Sequence, residues 1–147
     1  MPIFTIELTN PDFTFTATDA SSQQFNIDIP VDQGGNGNGV RPMQAVLAAL
    51  GGCSGVDIVS ILKKQRETFT SLKIEVDGER ETGKEPALWK TAHVRYFLTG
   101  DVHPDKAYRA ASLSIEKYCS VAETLRRAGA EITWDIYVNG EEVKQAI

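Results

Sequence analysis

Two cysteines and one arginine are the residues through which this chain could do redox chemistry. Cys53 sits in the run 39–57, GVRPMQAVLAALGGCSGVD, in which no charged residue occurs from Pro42 to Val56. The run reads as a helix that is apolar on every side, and such a helix is ordinarily buried. Arg41 stands just outside its start. Cys119 lies far along the chain in 116–123, EKYCSVAE. A buried thiol, a nearby cation and a second thiol are the ingredients of a peroxide-reducing cysteine centre.

The thiolate attacks a peroxide oxygen and the thiol hardly does. A free cysteine with a pKa of ~8.5 is mostly protonated at neutral pH, and burial raises that value further. One positive charge at ~4 Å, with an effective dielectric of ~20, contributes about 4 kcal/mol before desolvation is subtracted. At about 1.36 kcal/mol per pKa unit, that is enough to ionise a partly buried thiol. Arg41 is the nearest candidate in sequence. It precedes Cys53 by twelve residues, which is roughly 18 Å along a straight helix. Either the loop folds back, or the arginine comes from a second subunit whose helix runs antiparallel. Cys119 precedes Ser120, an expected N-cap, and the partial positive charge of a helix start favours a thiolate there. Such a cysteine suits the resolving role: it attacks a sulfenic acid on the first cysteine and closes a disulfide, which an external dithiol reopens.

Periodicity predicts the strands and helices that carry these residues. The sequence of 147 residues is read as a single domain, 1–147, with one core. Alternation predicts strands at Ile3–Leu8, at Phe13–Thr18 and over Phe25, Ile27 and Ile29. Residues 32–39 form a glycine-rich loop, not a phosphate cradle, because no Lys-Ser or Lys-Thr comes after them. A helix runs from Pro42 to about Thr68, and Gly51, Gly52 and Gly55 mark a close helix crossing around Cys53. A long hairpin over 72–99 turns at 82–86. A second helix extends from Pro104 to about Tyr118, and a capping box at Ser120 and Glu123 opens a third. A final strand spans Ile132–Val138, and the tail beyond Gly140 pairs loosely at most. Strands around long helices, without βαβ alternation, give the fold class α+β.

Bulk properties exclude other functions. A net charge of −5, with basic residues scattered among acids, argues against nucleic-acid binding. The N-terminus reads as a strand and not as a signal peptide, and the uncharged run is too short and too rich in glycine to span a bilayer. A cytoplasmic protein with no membrane partner is the expectation, in which two cysteines are free or catalytic. Cys53, His93, His103 and Cys119 include no close ligand pair of the CxxC or HxxxH type, so no metal and no cofactor is expected. No GxSxG nucleophile elbow is present.

The pattern Arg41-Pro42-Met43-Gln44, then Leu50 to Asp57 around Cys53, then Glu116 to Val121 around Cys119, resembles the OsmC/Ohr family of osmotically induced and organic-hydroperoxide-resistance proteins. The resemblance extends over nearly the whole chain. It implies an intertwined homodimer in which antiparallel sheets wrap long central helices, with active sites at the subunit interface. It implies that Cys53 is the peroxidatic cysteine, Cys119 the resolving cysteine and Arg41 the activating cation, with Gln44 and Glu116 in support. The reaction so implied is reduction of organic hydroperoxides to alcohols, with a dithiol as reductant, in a stress response. One departure stands out. The family commonly carries a glutamate soon after the proline, and here Met43 and Gln44 occupy that place. An Arg–amide contact is weaker and less well oriented than an Arg–carboxylate clamp. A dimeric protein that binds a small hydrophobic ligand, or a stress-associated dimer with little turnover, is the alternative.

Overall fold

The computed structural model describes residues 1–145, which fall into two compact units, Met1–Val46 and Leu47 onward. The first unit is a three-stranded antiparallel sheet of β1 (Phe4–Leu8), β2 (Phe15–Asp19) and β3 (Gln24–Ile27), in that order. The predicted third strand stops at Ile27, short of Ile29. There Asp28, buried at 1% exposure, turns the chain. Its carboxylate accepts from the Thr14 hydroxyl at 2.8 Å and from the Ile29 and Asn38 amides at 2.7 and 3.0 Å. These bonds pin the glycine-rich loop. A Cβ at Gly35 would lie 2.0 Å from the Ile29 carbonyl oxygen, so the loop packs too closely for a side chain there.

Register places Leu8 opposite Phe15, Ile6 opposite Ala17 and Ala17 opposite Phe25. Opposed residues share a face, so Phe4, Ile6, Leu8, Phe15 and Phe25 form one apolar surface. All five are exposed. Phe4 and Phe25 meet edge to face at 6.1 Å.

Helix α1 (Pro42–Lys64) leaves the first unit and runs on through the second. It ends four residues before the expected Thr68, because Arg66 adopts the left-handed conformation (φ 58°). The Arg66 amide then donates to the Lys63 carbonyl and the Glu67 amide to the Leu62 carbonyl, a Schellman termination. At 23 residues α1 is long and apolar enough to cross a membrane by length and composition, although the uncharged run within it ends at Val56 and the helix continues through Asp57, Lys63 and Lys64. Its buried side belongs to the protein core instead. Leu50, Ile58 and Leu62 are fully buried, together with Tyr96, Leu98, Ile115 and Ile136.

The glycine reading changes too. A Cβ at Gly51 would meet Val76 at 3.2 Å and one at Gly55 would meet Ile74 at 2.7 Å, whereas one at Gly52 meets nothing within 4 Å. Gly51 and Gly55, one turn apart, therefore bring the helix down onto β4 (Thr68–Arg80), and the close approach is helix to sheet. Nor is α1 buried on every side. Ala48, Ala49, Gly52 and Val56 are exposed, Val56 at 69%.

The second sheet runs β4, β5 (Trp89–Asp101), β6 (Glu131–Val138) and β7 (Glu141–Val143). β4–β5 is the expected hairpin, and β7 gives the polar tail a definite partner in β6. One pairing departs from an all-antiparallel arrangement. β5 and β6 are parallel, joined by α2 (Pro104–Leu113), a π turn (Ser114–Tyr118) and α3 (Ser120–Arg127). Parallel neighbours need such a crossover, so a single βαβ unit sits inside the α+β fold. The expected helix to Tyr118 is thus α2 continued by a wider turn, in which the Cys119 amide donates to the Ser114 carbonyl at 2.7 Å.

Candidate functional site

The second unit brings Cys53 and Cys119 together. α1 carries Cys53 in its middle, half-buried, while the π turn delivers Cys119, which is 3% exposed. Both are free thiols, and Cys53 lies near enough to Cys119 to act on it through a side-chain hydrogen bond and electrostatically. Burial, and then the Cys53 contact, push the Cys119 thiol up to about 11. The expectation that a helix start makes this cysteine acidic is corrected by the same geometry. Cys119 is itself the N-cap of α3, in the place expected for Ser120, and its sulfur accepts from the Ala122 amide at 3.4 Å. That bond favours the thiolate, but loss of solvent is the larger effect.

Three polar side chains missed in the sequence lie around the thiols. Tyr96 on β5 is fully buried and donates its hydroxyl proton to Ser54 Oγ at 2.7 Å. Burial drives the phenol pKa strongly upward, so it stays neutral, and both cysteines add to that shift electrostatically. Ser54 Oγ in turn donates to the Leu50 carbonyl at 2.8 Å, within its own helix. Ser114, also fully buried, donates to Asp57 Oδ2 at 2.9 Å and lies 3.3 Å from the Ser54 carbonyl. Serines inside an apolar helical run, and a tyrosine at an inward strand position, were the only sequence signals for this layer. Each reads equally well as ordinary core.

Arg41 and Gln44 belong to the first unit and are exposed, with the Arg41 carbonyl accepting the Ala45 amide at the start of α1. Glu116 is exposed on the π turn and lies 3.4 Å from the Ser112 hydroxyl. It lines a surface groove with Tyr108, Trp134 and Asp135. His93 bonds Thr133 at 2.6 Å and Asp135 at 2.9 Å across β6, and His103 caps α2 beside Glu67.

A long helix laid on a mixed sheet, with a second thiol brought to the one the helix carries, defines an OsmC-type α+β protein. The family model described as OsmC-like protein matches residues 34–135, and the chain belongs to that family. Protein YhfA of Escherichia coli K12 is 38% identical over 117 residues, spanning 78% of this chain and 83% of that protein. A hypothetical protein from Aquifex aeolicus VF5 has 29% identity and a TM-score of 0.75, covering 95% of this chain and 99% of that one. The fold is also that of an organic hydroperoxide resistance protein OsmC from Legionella pneumophila, at 14% identity and a TM-score of 0.67, with 94% and 98% covered.

Proposed function

We propose that this protein is a thiol peroxidase that reduces organic hydroperoxides to alcohols. The observation that carries the reading is the direct contact between a half-exposed thiol and a buried, protonated one, contributed by segments far apart in the chain. In this reading the Cys53 thiolate attacks the terminal oxygen of the hydroperoxide. The O–O bond breaks, the alkoxide leaves as the alcohol after taking up a proton, and Cys53 is left as a sulfenic acid. Cys119 then attacks the Cys53 sulfur. The S–S bond forms, and the sulfenic hydroxyl departs as water with the Cys119 proton. A dithiol returns both cysteines to the thiol state.

Arg41 supplies the cation that favours the Cys53 thiolate, in cis or from a second subunit, with Gln44 as its partner. A homodimer fits the surfaces left open: the five-residue apolar face of the first sheet, and the exposed Ala48, Gly52 and Val56 of α1. Contiguous apolar patches of this kind mark association surfaces. Support also comes from the Legionella relative, which is named for organic hydroperoxide resistance.

Thiol titration against cumene hydroperoxide tests the proposal. The wild type is expected to lose both thiols and form an intramolecular disulfide, and Cys119→Ser to stop at a dimedone-reactive sulfenic acid. Cys53→Ser is expected to lose none. If wild-type thiols are inert to the peroxide, the peroxidase reading fails.

A further inference from the structure

We infer that Asp57 and Ser114 form a positioning clip that sets the resolving cysteine against Cys53, resting on the proposed peroxidase reading for the chemistry it serves. Cys53 and Asp57 are one helical turn apart and share a face of α1. The π turn presents two matching groups to that face. Ser114 donates its hydroxyl proton to Asp57 Oδ2 at 2.9 Å, and Cys119 meets Cys53. Ser114 joins the two contacts, because its own carbonyl accepts the Cys119 amide at 2.7 Å. Its hydroxyl also lies 3.3 Å from the Ser54 carbonyl, next in sequence to the thiol. The residue is thus bonded to α1 through its side chain and to the resolving cysteine through its backbone.

The wide turn needs this brace. A π turn closes on the fifth residue and not the fourth, so reverting it to α would swing the residues after it by about 100° about the axis. Cys119 would then leave Cys53. Arg126 of α3 steadies the same turn from the other side by donating to the Ile115 carbonyl. Asp57 is half-buried and opens onto a groove with Ser60, Lys64 and Tyr118, so the clip borders solvent where an ordinary core contact would not.

In the step the clip serves, the Cys119 sulfur bonds to the Cys53 sulfur as the S–O bond breaks, and Cys119's proton leaves with the hydroxyl as water. An S–S bond forms only along a narrow approach, so loosening Cys119 slows closure and leaves attack on peroxide untouched. Two assays on the full-length protein test this. Stopped-flow hydroperoxide reaction with dimedone trapping tracks sulfenic acid formation and decay. Reaction with DTNB requires no peroxide: Cys53 releases one thionitrobenzoate, then Cys119 displaces the second from the mixed disulfide. Asp57→Ala is expected to keep the first phase of each within twofold and to slow the second at least tenfold. Asp57→Asn, whose amide oxygen still accepts from Ser114, is expected to restore the second phase to within threefold. Ser114→Ala should match Asp57→Ala, and Ser114→Thr should match wild type.

Equal second phases in wild type and Asp57→Ala would overturn the clip, as would equal slowing of both phases, or Asp57→Asn no better than Asp57→Ala. If Asp57→Ala does not fold, the Asp57→Asn and Ser114→Thr rescues against Ser114→Ala decide the matter. If wild type ignores hydroperoxide, the peroxidase reading fails on its own, and the DTNB phases still judge the clip.

Discussion

At the scale of single residues, the two thiols differ because their surroundings differ. Cys119 has lost its water and faces another sulfur, so its pKa stands at about 11 against an ordinary value of 9.0. Between those values the unfolded chain releases the proton and the folded chain keeps it. Folding stability is therefore expected to fall as pH rises through about 9 to 11, and this contribution is constant below that window. Denaturant midpoints of the fully reduced protein measured across it should show the slope in wild type and its loss in Cys119→Ser. Gln44 raises a second residue-scale expectation. If it partners Arg41, Gln44→Glu supplies a carboxylate in place of an amide and should raise peroxidase turnover up to about tenfold, the equivalent of ~1.4 kcal/mol. An unchanged rate would count against a loosely held arginine. Ser54, Tyr96 and Ser114 were invisible as site residues because nothing local separates a buried hydroxyl that orders a site from one that merely satisfies a core.

Among the elements, α1 carries the greatest constraint. Gly51 and Gly55 let its backbone approach β4, which fixes the height of Cys53 above the sheet. At Gly55 a side chain must displace Ile74, since even a Cβ would lie 2.7 Å from its terminal carbon. Gly55→Val is therefore expected to cost about 1–3 kcal/mol through overpacking, read as a lowered urea midpoint. At Gly52 the described chain leaves open space, so the two adjacent helical glycines have different reasons to be there. The helix C-terminus shows a comparable override. Lys63, Lys64 and Arg66 all suit a helix end by charge, yet the backbone turns left-handed at Arg66. The Schellman bonds and the start of β4 select that place, and the hydrophobic pattern alone ran past it to Thr68.

For the whole molecule, the question is what covers the exposed apolar face of the first sheet. In the proposed homodimer it is covered by a second copy, and the exposed stripe of α1 lies in the same assembly. Replacing Ile6 and Phe25 together by aspartate should shift the protein from dimer to monomer in sedimentation velocity. Neither takes part in the Asp28 clamp, whose bonds run to Thr14, Ile29 and Asn38. A dimer unchanged by that pair of substitutions would place the interface elsewhere. The long helix, the hairpin and the last strand were all legible, the helix as one uncharged apolar run and the strands by a period of 2 in their apolar residues. The parallel β5–β6 pairing was not, since period records which face of a strand is buried and carries no direction for its neighbour.

Amino-acid order was enough to mark where the apolar stretches lie, which residues carry sulfur, and which family the cysteine segments resemble, because these are local properties of composition and spacing. It took the folded chain to show that Cys53 and Cys119 touch, that the second is buried and protonated, and that a π turn bonded through Ser114 to Asp57 presents it. Desolvation and contact depend on which distant segments the fold packs together, and no window of sequence contains both.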